Sequence, residues 1–205
     1  LLRFRPLDQK DEFGEWSYQP LYFELDNYTT FMEPVTGATL LEGRIGAMAT
    51  TLDTGNVLVT GGRATQGGGG LNGGAVYFVL PTNPYGNVAP TANDMSSGRS
   101  HHTATRLLAE DPANAGDPTP PAKVLIAGGY DENGDPIDSA EIYDPATSQF
   151  TPLTDSLNIP RAEHCAVLLR SGKVLIVGGV KDSNETAASF LDTAEIFDLA
   201  DGSFT

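Results

Sequence analysis

The feature that most constrains the fold is a short apolar segment that ends in two glycines and occurs three times. The copies are VLVTGG at 57–62, VLIAGG at 124–129 and VLIVGG at 174–179. An arginine followed by small and apolar residues precedes each copy, at Arg44, Arg99 and Arg161. Such self-similarity indicates an array of similar structural units, so the units must be understood before the individual residues.

Each unit contains further recurring pieces after the glycine pair. The third piece reads AEIYD at 140–144 and AEIFD at 194–198, with a degenerate GAVY at 74–77, and an aromatic residue follows at Phe150 and Phe204. The four pieces are short, β-branched or alternating, and separated by turn residues, which predicts four antiparallel strands per unit. Asn133-Gly134, between the second and third pieces, predicts a type I′ turn.

The spacing of the units favours an all-β propeller. The arginines lie 55 and 62 residues apart (99 − 44 and 161 − 99), and an inserted Pro- and Asp-rich loop at 109–121 lengthens the middle unit. Four antiparallel strands in a repeat of this length are typical of a propeller blade.

The same residues carry a family resemblance. Arg161-Ala-Glu-His164, the glycine pair at 178–179 and AEIFD at 194–198 resemble the kelch repeat in its bacterial exported form. The resemblance covers residues 44–205, with Phe where the kelch repeat usually has Trp, and with Ala47 and Ala75 in place of the histidine and glutamate. It implies a kelch-type β-propeller.

We therefore expect about three full four-stranded blades and the tail of a preceding blade. The expected boundaries are 1–43 for the preceding tail, 44–98, 99–160 and 161–205. Closed propellers have 4 to 8 blades. We expect the propeller to be completed by residues missing from this sequence or by another chain.

The net charge excludes one class of partner. With 12 basic and 27 acidic residues the formal charge is −15, so a nucleic acid or an anionic membrane would be repelled. No apolar run is long enough to cross a membrane. An extracellular or cell-surface location in a bacterium is what the resemblance implies.

The repeated polar residues are expected to be structural. We expect the glycines to end the second strands where a side chain would clash or φ is positive. We expect Arg99 and Arg161 to join blades through the carboxylates of Glu141 and Glu195; an anion-binding ring that includes Arg44 is the alternative. The proposed structural set is Arg44, Arg99, Arg161, Glu141, Glu195, Gly61, Gly62, Gly128, Gly129, Gly178 and Gly179.

The loops after the glycine pairs, at 63–74, 130–139 and 180–193, are expected on one rim and are the candidate binding surface. The candidate partner-binding residues are Arg63, Asn72, Tyr130, Asp131, Asn133, Lys181 and Asn184. No cofactor is expected, with one exception: hard oxygens at Asp131, Asn133, Asp135 and Asp138 could hold calcium, although Pro136 and Ile142 break the EF-hand pattern. A polar hairpin tip is the alternative.

Three further features have a structural and a chemical interpretation. His101, His102 and His164 could bind zinc or copper, but packed, hydrogen-bonded rings are favoured. Cys165 next to His164 is predicted to be a buried thiol, because adjacent strand residues point to opposite faces and cannot form a nucleophile pair. The glycine-rich run at 67–74 is predicted to be a flexible loop, since no helix follows as a dinucleotide site requires.

The favoured function is a non-catalytic module that binds a protein or a glycan, within a larger exported or cell-surface protein or assembly. The alternative is a propeller enzyme that resembles galactose oxidase or sialate mutarotases, with active residues partly outside this chain. A propeller can carry either function, so the fold alone does not choose.

Overall fold

The computed structural model describes residues 43–80, 83–108, 121–183 and 189–205. Residues 37–205 form one compact unit. The expected strands of a preceding blade in 1–42 and most of the inserted loop at 109–121 lie outside the described residues, as does Asn184. No helix that could span a membrane occurs in the part of the chain that is described.

The described chain forms three antiparallel four-stranded sheets, each a continuous up-and-down meander. The first sheet contains β1 (Met48–Thr51), β2 (Val57–Thr60), β3 (Gly74–Leu80) and β4 (Asn83–Pro90). The second contains β5 (Thr103–Arg106), β6 (Val124–Ala127), β7 (Ala140–Asp144) and β8 (Gln149–Pro152). The third contains β9 (Cys165–Leu168), β10 (Val174–Val177), β11 (Ala194–Asp198) and β12 (Ser203–Phe204).

These sheets have the architecture of kelch-type β-propeller blades, as the repeat predicts. We call them blades 1, 2 and 3 in chain order. The first strands are the inner ones, because β1 contacts β5 and β5 contacts β9. The three described blades are fewer than the four of the smallest closed propeller, so the described residues form only part of a ring.

The core lies between neighbouring blades, because each sheet presents a different set of side chains on each face. One face of blade 2, with Val124, Ile126 and Tyr143, packs against Leu58 of blade 1. The opposite face packs against blade 3 through the buried set Leu125, Ala127, Ala140, Ile142, Val174, Ile176, Phe197 and Phe204. Each fully buried aliphatic side chain of this kind contributes about 1.5–3 kcal/mol to folding.

The turn at Asn133-Gly134 differs from the predicted type. A type I′ turn needs positive φ at both central residues, but only Gly134 has one, with φ 84°. The carboxylate of Asp131 instead organises the loop, because it accepts hydrogen bonds from the backbone amides of Asn133 (2.8 Å) and Asp135 (2.9 Å). The type I′ prediction is therefore wrong, although the position of the turn is right.

Candidate functional site

The repeated arginines bridge two strands of their own blade, and two of them, Arg99 and Arg161, are fully buried. Nη1 of Arg99 donates to the carbonyls of Gly128 and Ser139, both at 3.0 Å, where β6 ends and β7 begins. Its Nη2 donates to Glu141 Oε1 at 3.0 Å. Burial lowers the pKa of Arg99, and the adjacent Glu141 carboxylate opposes this shift.

The other two arginines occupy the same position. Arg44 donates to the carbonyls of Gly61 (2.8 Å) and Gly73 (2.7 Å), although blade 1 has no glutamate at Ala75. Arg161 donates to the carbonyls of Gly178 and Thr193 and forms an ion pair with Glu195. Arg99 and Arg161 are buried, and all three guanidinium groups donate to carbonyls of their own blade, which supports the structural interpretation over the anion-binding ring.

The glutamates accept hydrogen bonds from the segments that connect the blades. Glu141 accepts hydrogen bonds from the amide and hydroxyl of Ser96, and Glu195 accepts them from the amides of Asn158 and Ile159. Burial raises the pKa of Glu195, but the Asn158 bonds and then Arg161 outweigh this effect and lower it overall.

The predicted Arg–Glu pairs are present, but they do not join two blades. Both partners, Arg99 and Glu141 in one case and Arg161 and Glu195 in the other, belong to the same repeat. The carboxylate instead accepts hydrogen bonds from the segment that connects the preceding blade to its own blade. That part of the prediction is wrong, because the arginine lies before the inner strand of the blade that contains its glutamate.

The joint between blades is formed by backbone atoms. The amide of Gly62 donates to the carbonyl of Arg99, and the amide of Gly129 donates to that of Arg161, both at 2.8 Å. The preceding glycines need to lack a side chain, because a Cβ on Gly61 or Gly128 would clash with the same arginine carbonyl. Arg99 and Arg161 therefore each bind their own blade through the side chain and the preceding blade through the carbonyl.

The histidines of the repeat complete these joints. Nε2 of His102 lies 2.8 Å from the Thr60 hydroxyl of blade 1, and Nε2 of His164 lies 2.9 Å from the Thr103 hydroxyl of blade 2. Burial, followed by the charge of Arg99, lowers the pKa of His102 to about 3. Burial, followed by Arg161, lowers that of His164 to about 4. For His102 and His164 the geometry shows packed, hydrogen-bonded rings, which is the favoured interpretation.

A second set of backbone hydrogen bonds links the residues two positions after the arginines, in neighbouring blades. The amide of Glu163 donates to the carbonyl of His101 (3.0 Å), and the amide of His101 donates to that of Gly46 (2.8 Å). His101 and Glu163 have positive φ, 52° and 55°, at the position where blade 1 has Gly46. This backbone conformation was not predicted from the repeat.

Two of the candidate binding residues contact the side chains of His101 and Glu163. Arg63 Nη2 donates to His101 Nδ1 at 3.5 Å, and the Tyr130 hydroxyl donates to Glu163 Oε1 at 3.3 Å. The His101 ring also meets the Tyr130 ring edge-on, with centroids 5.8 Å apart. Tyr130 is buried, so it supports the loop and is not the exposed partner-binding residue that the sequence predicts.

Two other candidate residues line one cavity where the loops of blades 1 and 2 meet. The cavity has a volume of about 360 Å³, and its wall contains Asn72 from the first loop and Asp131 from the second. Glu132 and the connecting residues Ser96 and Ser97 complete its polar lining. Sequence reasoning missed the two serines, because nothing in the repeat indicates that the connection between blades reaches the rim. Glu132 lies in the loop at 130–139 that was expected on the rim, but it was not among the candidate residues.

The glycine-rich run packs closely against blade 2. Gly70 donates its amide to the carbonyl of Asp131 at 3.1 Å, and a Cβ there would lie 2.6 Å from the Arg99 amide nitrogen. A Cβ on Gly69 would lie 2.7 Å from the carbonyl oxygen of Glu132. The run forms a loop with no helix after it, and its glycines allow close backbone approach between two loops.

The other candidate residues are placed as follows. Asn133 and Lys181 are exposed, on the loops of blades 2 and 3. In the calcium candidate, Asp131 already accepts the turn amides, and these bonds from Asp135 and Asn133 lower its pKa against the opposing effect of desolvation. Within the described ranges, no three acidic, histidine or cysteine side chains are grouped as metal ligands.

Cys165 contradicts the prediction of a buried thiol, because it is exposed. It pairs with Val177 on the neighbouring strand, and that side chain is also exposed, at 42 %. Both lie on the face of blade 3 that points away from blade 2. The repeat predicts burial for this position only where another blade covers the face.

Comparison with known proteins supports the kelch assignment for part of the chain. Residues 119–156, within blade 2, match the Kelch motif. An F-box/kelch-repeat protein of Arabidopsis thaliana is 34% identical over 76 residues, which is 37% of this chain and 20% of that protein. The chain is thus similar to about a fifth of that relative's length.

Proposed function

We propose that this chain is a non-catalytic binding module of the kelch-repeat type, and that it binds a protein through the rim where the loops of blades 1 and 2 meet. The observation that carries the proposal is the shared polar cavity, because it brings Asn72 and Asp131 together from two loops. Kelch repeats generally mediate protein binding, and the motif match lies in the blade that supplies Asp131 and Glu132.

The chemistry of the cavity favours a basic segment of the partner. Asp131 and Glu132 provide carboxylates, and Asn72 and the two serines provide hydrogen-bonding groups. The net charge of −15 adds long-range attraction for a basic surface and makes association sensitive to salt. A protein is favoured over a glycan, because a neutral sugar would gain nothing from this charge.

A displayed random-peptide library, selected on the immobilised chain, tests the proposal. We expect basic peptides to be enriched and their affinity to fall about fivefold in Glu132→Gln, as expected for one exposed charge pair worth ~1 kcal/mol. Asp192→Asn is the matched control, because it removes one exposed charge on a loop of blade 3. Enrichment of neutral peptides, or equal losses in both variants, would contradict the proposal.

The wider setting is also proposed. The resemblance to exported bacterial kelch proteins supports an extracellular or cell-surface location within a larger protein or assembly. Labelling of intact source cells with a membrane-impermeant amine reagent tests it. Recovery of the labelled chain is the expected result, and labelling only after lysis would contradict it.

A further inference from the structure

We infer that Asn133-Gly134 is a site of spontaneous deamidation, in which the side-chain amide of Asn133 becomes a carboxylate, and that the fold spares the other Asn-Gly pair of the rim, Asn72-Gly73. Asn72 lines the polar cavity, and Asn133 follows Glu132, which lines it too. The two pairs are identical in sequence, but their hydrogen bonds differ. The inference does not depend on what binds at the rim.

The reaction needs no co-reactant other than water. The Gly134 amide nitrogen loses its proton to solvent and bonds to Cγ of Asn133, and the bond from Cγ to Nδ2 breaks, so that ammonia leaves. The resulting cyclic imide takes up water at either of its carbonyl carbons and opens to aspartate or isoaspartate. Glycine favours the attack, because it has no Cβ to hinder the nitrogen and leaves the backbone free to rotate.

The geometry of the attack makes its rate depend on the backbone. The glycine nitrogen reaches the carbonyl carbon of the asparagine side chain only if the peptide between the two residues rotates. Rotation moves the asparagine carbonyl and the glycine N–H together. Hydrogen bonds to this peptide and to the residues beside it therefore slow the reaction, because they must open first.

Asn72-Gly73 is held firmly on both sides. Its connecting peptide cannot rotate without loss of the hydrogen bond from the Met95 amide to the Asn72 carbonyl, at 2.9 Å. The carbonyl of Gly73 accepts a charge-assisted hydrogen bond from the Arg44 guanidinium at 2.7 Å. The pair also leads directly into β3, so rotation would disturb the start of that strand.

Asn133-Gly134 is held weakly. Among the residues that the structure describes, no backbone amide donates to the carbonyl of Asn133. The Gly134 amide donates to the Asp131 carbonyl at 3.3 Å, and Asn133 Nδ2 donates to Asp131 Oδ2 at 3.2 Å, both at the long end for such bonds. Asn133 is exposed, and a Cβ on Gly134 would meet no atom within 4 Å. Opening of this tip therefore costs less than opening of the segment at Asn72.

Deamidation reverses a contact within the loop. Once the amide nitrogen of Asn133 is replaced by oxygen, two carboxylates face each other where Nδ2 now donates to Asp131. Like charges at this distance repel. Asp131 also accepts the amide of Asp135 at 2.9 Å, so the repulsion loosens this bond and with it the tip of the loop. The reaction also adds a negative charge beside Glu132 of the cavity wall.

Incubation of the full chain at mildly alkaline pH tests the inference. Mass spectrometry of proteolytic peptides follows the conversion of each pair and separates asparagine, aspartate and isoaspartate. A parallel sample unfolded in urea gives the rates without the fold. We expect Asn133 to convert at least about tenfold faster than Asn72 in the folded chain, and within about threefold of it in urea.

The variant Arg44→Gln tests the cause of this difference. It removes the charged donor to the Gly73 carbonyl, so conversion at Asn72 should rise several-fold while that at Asn133 stays the same. Arg106→Gln is the matched control, because Arg106 is exposed and paired with Asp53, and it should leave both rates unchanged. The comparison of the two pairs in the unsubstituted chain stands even if Arg44→Gln fails to fold.

The variant Asn133→Asp tests the effect on the loop. It carries the charge of the product from the start, and hydrogen exchange at the Asp135 amide should be faster than in the unsubstituted chain. Unchanged exchange there would refute the loosening of the loop.

Two results would overturn the choice of site. Equal conversion of the two pairs in the folded chain, or faster conversion at Asn72, would show that the hydrogen bonds do not select between them. Absence of conversion at Asn133 in the folded chain, over a period in which the urea sample converts fully, would show that the tip does not open.

Discussion

Blades 2 and 3 have nearly the same apolar pattern and very different burial. All four residues of β6 are buried, whereas in the equivalent strand β10 only Val174 and Ile176 are. The two strands read VLIA and VLIV, so composition does not explain the difference. Among the described residues, blade 2 has a neighbour on each face and blade 3 has a neighbour on one face. In this architecture a strand therefore becomes a core strand only through its neighbours.

The buried ion pair of blade 2 should give the largest effect. Glu141→Ala leaves the fully buried Arg99 without its carboxylate and removes the acceptor for Ser96, which should lower the free energy of unfolding by about 3–5 kcal/mol. Urea denaturation measures the loss. Asp192→Ala, at an exposed position on a loop of blade 3, is the control. An equal loss of unfolding free energy in both variants would show that the buried pair does not stabilise blade 2.

Substitution of two equivalent leucines tests the comparison between blades 2 and 3 directly. Leu125→Ala should cost about 3 kcal/mol, because the side chain is 1% exposed and packed between two blades. Leu175→Ala, at the same position of blade 3, should cost less than half as much, because that face is open. Similar losses in denaturation experiments would mean that the face of blade 3 that carries Leu175 is covered in solution.

The two joint histidines predict a stability change with pH. Their folded-state pKa values, about 3 and about 4, lie below the unfolded value near 6.5, so the unfolded chain binds more protons between these limits. The contribution of the two histidines to the free energy of unfolding is therefore fully present above pH 6.5, and it is lost as the pH is lowered. Between pH 7 and 5 the loss should be about 2 kcal/mol per histidine.

The variant His102→Gln should remove about half of this slope, because its amide cannot titrate and can still reach the Thr60 hydroxyl. Carboxylates with lowered pKa values, such as that of Glu195, lose their contribution only at lower pH and leave this window to the histidines. Thermal unfolding at several pH values measures the slope. A flat profile between pH 7 and 5 would contradict the buried, neutral rings.

An exposed ion pair between blades 1 and 2 should give the smallest effect. Arg106 donates to Asp53 at 2.8 Å, but both side chains are well exposed. Arg106→Gln should therefore cost less than about 1 kcal/mol, and less still at high salt. A larger cost at high salt than at low salt would contradict this explanation.

Much of the fold could be predicted from the sequence, because the repeat places the same residue types at the same structural positions. The strands at 124–127, 140–144, 174–177 and 194–198 were predicted from their apolar patterns, and the Arg–Glu pairs from their recurrence. The exposure of Cys165 could not be predicted, because burial at that position depends on a neighbouring blade. The hydrogen bond that the arginine carbonyl accepts from the preceding blade could not be predicted either, because residue type does not indicate the partner of a backbone atom.

The candidate site was predicted only in part. Asn72 and Asp131 were proposed from loop position, and the structure brings them to one cavity. Ser96 and Glu132 also line this cavity, because Gly69 and Gly70 lie close to blade 2. Such an approach fixes distances between segments far apart in sequence, which composition and spacing do not contain.

Amide hydrogen exchange at two equivalent glycines tests the central claim most directly, that a neighbouring blade is what closes the joint at the second glycine. The Gly129 amide is bonded to the Arg161 carbonyl at 2.8 Å, and the Gly179 amide has no such partner in the described chain. In a uniformly labelled sample, Gly129 should exchange slowly and Gly179 close to the rate of an exposed amide. Equal protection of both amides would contradict the claim.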